Sequence, residues 1–218
     1  MARKASKRLG VYCLEGRWAE SMLKRDHASI KGLLEYLQKD GLIEFQRHRT
    51  TSPKTLKTRM AEWQLHHPTY ELGYFAGHGT SHGLLLPGGG SRLRRPVYLD
   101  EVAGALLGRC EGRAVFFATC VTARNTAQMT EFLRTTRAIA VCGYRKSVLK
   151  AEAFAADTLI IEALARHRGE NRQIRPLRAF RDLEKNHPWI KDRLGFVYFT
   201  SQLEEDSAES TRWVHDPS

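Results

Sequence analysis

Apolar and polar positions fall along this chain in two kinds of block. Short runs rich in β-branched and aromatic residues recur at Leu9-Gly10-Val11-Tyr12-Cys13-Leu14, Leu42 to His48, Gly73 to Ala76, Val115 to Ala118, Ala138 to Tyr144 and Leu194 to Phe199. Each has strand length and reads as a buried strand. Between them, apolar residues recur at helical spacing. Ile30, Leu33, Leu34 and Leu37 form one such face, stopped by Asp40-Gly41. Leu56, Met60 and Trp63 form another, with Ser52 as the expected N-cap, Pro53 in the first turn and His66-His67-Pro68 at its end. Val102, Ala105 and Leu106 follow an expected cap at Asp100, and further helices are expected over Ala127–Leu133, Ala151–Arg166 and Pro176–Lys185. Leu84 to Gly90 reads as a short strand and a glycine turn, and Cys110 to Arg113 as a loop. Strand and helix alternate throughout. The expected fold class is therefore α/β, a three-layer αβα sandwich around a mainly parallel six-stranded sheet.

Length and charge narrow this picture. The 218 residues are expected to form one domain, 1–218, with a basic arm at 1–8 and a polar, acidic tail at 201–218 that are both mobile. Apolar residues make up 42% of the chain, too many for a disordered protein. No apolar run approaches the ~20 residues that span a bilayer, and the basic N-terminus leads into a run too short for a signal peptide. The expected compartment is the cytoplasm, with no membrane partner. Cys13, Cys110, Cys120 and Cys142 are scattered without a CxxC pair, which argues against a zinc ribbon or a disulfide framework. The net charge of +11 is spread rather than focused, except at the N-terminal arm, at Arg92-Leu93-Arg94-Arg95 and among the arginines between Arg166 and Arg181. No nucleic-acid-binding motif accompanies it, so a solvated basic surface is the favoured reading and nucleic acid is not expected as a direct ligand. No glycine-rich phosphate loop follows the first strand, and no cofactor or metal is expected.

Chemistry concentrates at two strand ends. Gly73-Tyr74-Phe75-Ala76-Gly77-His78-Gly79 delivers a histidine between glycines, and Ala114-Val115-Phe116-Phe117-Ala118-Thr119-Cys120 delivers a cysteine. In open α/β sheets, sites form at the carboxyl ends of strands. A thiol and an imidazole brought together there are a nucleophile and its acid–base partner. Cys120 precedes a polar stretch, so its thiol is expected to be partly exposed, whereas the other three cysteines lie in or beside apolar runs and read as core. Gly77 and Gly79 allow close backbone approach and positive φ around His78. His82, in a second His-Gly pair, does not end a strong strand and ranks below His78. His66 and His67 read as surface residues at a helix end.

On these residues the chain resembles the caspase-type cysteine peptidases, a fold family that includes metacaspases, gingipains, separase and bacterial CHAT domains. The resemblance spans roughly residues 9–200. It rests on the order of elements, on the strand ending in His78-Gly79, on the run Val115 to Cys120, and on the 42 residues between histidine and cysteine. It implies a Cys-His dyad in which Cys120 attacks the scissile carbonyl and His78 protonates the leaving amine. It also implies an oxyanion hole from the amides of Gly79 and Cys120. Val121-Thr122 stands where the animal enzymes carry Arg-Gly or similar. That segment and Ala140-Val141-Cys142-Gly143-Tyr144 look closer to bacterial CHAT-like proteins.

Specificity is the least determined part. Asp157, at helical spacing between Phe154 and Ile161, is a candidate buried carboxylate for a basic substrate side chain, and Arg124 a candidate for an acidic one. The reading leans to cleavage after arginine or lysine, with Arg92, Arg94 and Arg95 as a candidate self-cleavage loop. The expected partners are a protein substrate and an activating protease or regulatory protein. The expected function is an endopeptidase of a bacterial defence or cell-death pathway. The alternatives are a catalytically inactive scaffold and a basic nucleic-acid-associated protein.

Overall fold

The structure is a computed structural model that describes residues 8–16, 29–65, 69–87, 94–169 and 173–201. Its elements in chain order are β1 (Leu9–Gly16), α1 (Lys31–Lys39), β2 (Ile43–Thr50), α2 (Pro53–Leu65), β3 (Leu72–Thr80), β4 (Gly83–Pro87), β5 (Arg94–Tyr98) and α3 (Leu99–Ala105). They continue with β6 (Ala114–Thr119), a single 3-10 turn (Thr122–Arg124), α4 (Thr126–Thr136), β7 (Ala140–Tyr144), α5 (Lys150–Arg166), α6 (Pro176–Asn186), α7 (Trp189–Leu194) and β8 (Phe196–Thr200). The main sheet runs β2-β1-β3-β6-β7-β8, with β4 and β5 as a hairpin extending from β3. Along that row β2, β1, β3, β6 and β7 are parallel and β8 joins antiparallel against β7; β4 joins β3, and β5 joins β4, antiparallel as well.

Two cores flank the sheet, as its composition requires. Strands covered on both faces read as near-continuous apolar runs, and every residue of β6 is buried. On one face α1, α5, α6 and α7 pack Leu34, Ile160, Ile161, Phe180 and Ile190 against Tyr74, Phe116 and Tyr144. On the other, α2, α3 and α4 pack Trp63, Val102, Met129 and Phe132 against Phe75 and Phe117. The three-layer α/β sandwich predicted from the alternation is the observed architecture.

Three local expectations differ. The N-cap of α3 is Tyr98, not Asp100, because Leu99 already turns into the helix; the Tyr98 amide donates to Glu101 Oε2 at 3.1 Å. Arg94 and Arg95 lie in β5, paired with Pro87 and Leu86, rather than in a loop. Burial of Leu84, Leu86 and Val97 in the second core draws that segment into the hairpin. Arg92 falls outside the described residues, as do the expected basic arm at 1–7, the tail from 202 and the His66-His67-Pro68 helix end. Helix α7 was not visible in the pattern, since Trp189 to Leu194 offers only Ile190 and Leu194 as buried positions. Ser52, by contrast, caps α2 as expected: its Oγ accepts the Thr55 amide at 3.2 Å.

Candidate active site

The strand order sets the site. β1 sends the chain outward to β2, and the chain then returns to β3 on the other side of β1 before continuing to β6 and β7. Crevices open at the carboxyl ends around such a reversal. A small cleft beside it, on the side of the second core, is lined by Leu14, Phe75, Leu84 and Leu86 together with Gly77, His78 and Thr119, and Cys120 is not among its lining residues.

Register brings the two reactive residues to the same edge of the sheet. β3 and β6 pair in parallel as Tyr74↔Phe116, Ala76↔Ala118 and Gly77↔Thr119. The next step in that register is His78 opposite Cys120. Alternation along β3 puts His78 on the face that carries Tyr74 and Ala76, and Cys120 follows the last residue of β6. Neighbouring strands are roughly 5 Å apart, which sets the spacing of the two backbones at this edge. Both are half-buried, between the dry rows below them and solvent. His82 sits exposed in the turn between β3 and β4, which separates it from the strand end.

The backbone departs from regular geometry on both sides of this pair. Val121, directly after the cysteine, has φ +52°, a left-handed conformation that a β-branched residue rarely adopts. Its amide donates to Lys146 O at 3.1 Å. Thr119 and Thr122 share a buried hydroxyl–hydroxyl bond of 2.7 Å, and Thr122 Oγ1 donates to the Cys120 carbonyl at 3.3 Å. The chain therefore leaves β6 in a tight, bonded hook. Gly79 lies against this hook: a Cβ there would stand 2.6 Å from Cys120 O and 2.2 Å from Thr122 Oγ1. Close approach, not positive φ, is what requires glycine at this position. Positive φ instead falls on Gly77, at +152°.

The Cys120 sulfur rests on the loop after β7. The Val148 amide donates to Sγ at 3.4 Å, and Sγ–H can donate back to the Val148 carbonyl at 3.8 Å. The other thiols are different. Cys13, Cys110 and Cys142 are buried. Burial pushes Cys110 up to about 12 and Cys13 and Cys142 well above the ordinary thiol range. Burial thus disfavours the thiolate form at all three.

The remaining candidates are dispersed. Arg124 ends the 3-10 turn and is exposed. Asp157, the expected pocket carboxylate, instead belongs to the interior. It is 3% exposed, and its two oxygens accept the hydroxyls of Tyr74 and Tyr144 at 2.5 Å each. Burial raises its pKa to about 7 against the lowering effect of those two bonds. The helical spacing that made it a candidate also put it over the tyrosines of β3 and β7, and one hydroxyl engages each of its oxygens. Among the described residues no three His, Cys, Asp or Glu side chains converge as a metal site would need. The sequence marked Val121-Thr122 only by its resemblance, not by its backbone role, and Val148 carried no signal. A valine in left-handed conformation runs against propensity, and Val148 acts through its main chain.

No protein-family model matches the sequence, and none of the curated proteins does. The structure is similar to that of a secreted C11 cysteine protease from Bacteroides thetaiotaomicron, solved in complex with an irreversible peptide inhibitor. The TM-score is 0.50 at 12% sequence identity, over 73% of this chain and 54% of that one. The chain thus spans about half the length of that protease. At so low an identity the likeness speaks to fold: this chain shares the mainly parallel, helix-flanked α/β architecture of a C11 cysteine protease, a caspase-like fold.

Proposed function

We propose that this protein is a caspase-like cysteine endopeptidase that cleaves protein substrates with Cys120 as nucleophile and His78 as acid–base partner. One observation carries the reading: the β3–β6 register ends at Gly77↔Thr119, and His78 and Cys120 are the residues that follow at this carboxyl edge of the sheet. The bonded hook at Val121 and Thr122 supports it, because backbone held in a disfavoured conformation is kept where a reactive group must be aimed.

In this mechanism Cys120 Sγ attacks the scissile carbonyl carbon, and the carbon–nitrogen bond breaks as His78 delivers a proton to the amine. Water, deprotonated by His78, then hydrolyses the thioester and returns the thiol. The amides of Gly79 and Cys120 are the proposed donors to the oxyanion. With Asp157 committed to two tyrosines, Arg124 is the remaining specificity candidate of the original pair, and a guanidinium there would favour an acidic group near the cleaved bond. The likeness of Cys120-Val121-Thr122 to CHAT-type proteins supports a place in a bacterial defence or cell-death pathway, under control of a second protein.

The test is cleavage of fluorogenic peptides bearing Asp, Glu, Arg, Lys or Leu before the reporter. Cys120→Ala and His78→Ala are expected to lose activity by about a thousandfold with unchanged melting temperatures. Equal cleavage by Cys120→Ala and the wild type would overturn the assignment.

A further inference from the structure

We infer that the main chain of Val148 is a positioning element for the nucleophile, its N–H holding the Cys120 sulfur and stabilising it as thiolate. This rests on the proposed role of Cys120. Sγ lies 3.4 Å from the Val148 nitrogen and 3.8 Å from its carbonyl oxygen. The main chain of one residue therefore offers a donor to the thiolate and an acceptor to the thiol, so either protonation state keeps the sulfur in place. A hydrogen bond to the charged form favours that form, and N–H donors to an anion are stronger than those between neutral groups.

The loop that presents this peptide is itself fixed. The Arg145 amide donates to Gly195 O at 2.9 Å, the Lys146 ammonium to Asp192 O at 2.7 Å and the Arg145 guanidinium to Thr126 Oγ1 at 3.0 Å. The Lys146 carbonyl accepts the Val121 amide at 3.1 Å. Residues 145–148 thus grip both the backbone and the side chain of the nucleophile turn. They stand on the β7 side of β6, while His78 stands on the β3 side. The sulfur is held from the β7 flank, and β3, which carries its proposed acid–base partner, lies on the other flank of β6.

The direct test removes one hydrogen-bond donor. Replacing Val148 by its α-hydroxy analogue turns the 147–148 amide into an ester, deleting the N–H and keeping the side chain. Val148→Pro deletes the same donor by ordinary mutagenesis, and Val148→Ala keeps it. The readout is the pH dependence of Cys120 alkylation by iodoacetamide, with the adduct located by mass spectrometry and Cys120→Ser as blank. Melting curves identify the variants that fold, and either donor-deleted variant suffices. Alkylation near neutral pH is expected to slow about tenfold in the donor-deleted protein, its pH–rate curve moving to higher pH, with Val148→Ala within about twofold of wild type. Superimposable curves for the donor-deleted and Val148→Ala proteins would overturn the inference. Because alkylation needs no substrate, that result is distinct from a failure of peptide cleavage, which would instead count against the proposed function.

Discussion

Strand β6 is anchored differently at its two ends, and the difference separates stability from chemistry. Just before it, Arg113 is 2% exposed and closed in by partners. Its guanidinium donates to the carbonyls of Trp63 and Gln64, at 3.1 and 3.4 Å, which end α2, and stacks over the Trp63 ring at 4.9 Å. Burial pulls its pKa down, yet an arginine stays cationic, and the carbonyl-rich end of a helix is where a cation is favoured. Just after the strand, Cys120 is half-buried, its successor is in a left-handed conformation, and its neighbour Gly79 leaves no room for a Cβ. One end spends its polar groups on closing the fold. The other keeps a thiol and an imidazole within reach of solvent.

The sharpest way to break that contrast is to damage the closed end and read the open one. Arg113→Ala leaves the Trp63 and Gln64 carbonyls without their donor and opens a cavity beside the indole. The expected loss is about 4 kcal/mol, from cavity and lost hydrogen bonds together. For a chain of this length that is about 10 °C in melting temperature by calorimetry or circular dichroism. Alkylation of Cys120 per folded molecule is expected to stay within about twofold of wild type. A large drop in that rate would show that the two ends are not independent.

Much of this contrast was legible in the sequence, and the reasons are physical. The β6 run is apolar throughout because both sheet faces are covered, so its span and its reactive end could be read directly. His78 and Cys120 each close such a run, and parallel pairing then aligns strand ends automatically. What could not be read depends on contacts between distant segments. Arg113 reads as a loop residue until Trp63, 50 positions earlier, is folded onto it. Asp157 stands at a spacing that makes it only a candidate for burial, and its tyrosine partners, 83 and 13 residues away, decide that it serves the interior rather than a substrate. β5 and α7 are short elements whose formation is settled by the hydrophobic surface they cover.

Asp157 sharpens the comparison, because it is a buried polar group between the two ends and, unlike Arg113, it titrates. Its pKa rises from the usual carboxylate range to about 7 in the folded protein, chiefly through burial. Between those values the folded state binds more protons than the unfolded chain, so this stabilisation is complete below about pH 4 and is lost as pH rises through about 7. The expected size is a few kcal/mol across the window. Asp157→Asn, neutral at every pH, is expected to flatten the dependence of denaturant midpoint on pH between 4 and 7. Parallel curves for variant and wild type would show that Asp157 is ionised throughout.

The smallest effect expected is at Val121, and it asks whether the open end stores strain. A β-branched residue at φ +52° costs on the order of 1–2 kcal/mol relative to one that tolerates the left-handed region. The conformation persists because the Val121 amide is bonded to Lys146 O and the Thr122 hydroxyl to the Cys120 carbonyl, and neither bond uses the valine side chain. Asparagine tolerates left-handed backbone, so Val121→Asn should keep both bonds while relieving the strain. Its melting temperature is expected to rise by about 2–4 °C with Cys120 alkylation unchanged within about twofold. A lower melting temperature would mean that packing of the half-buried valine outweighs its backbone cost. An altered alkylation rate would mean that the strain itself aims the sulfur, making the open end dependent on stored energy as well as on hydrogen bonds.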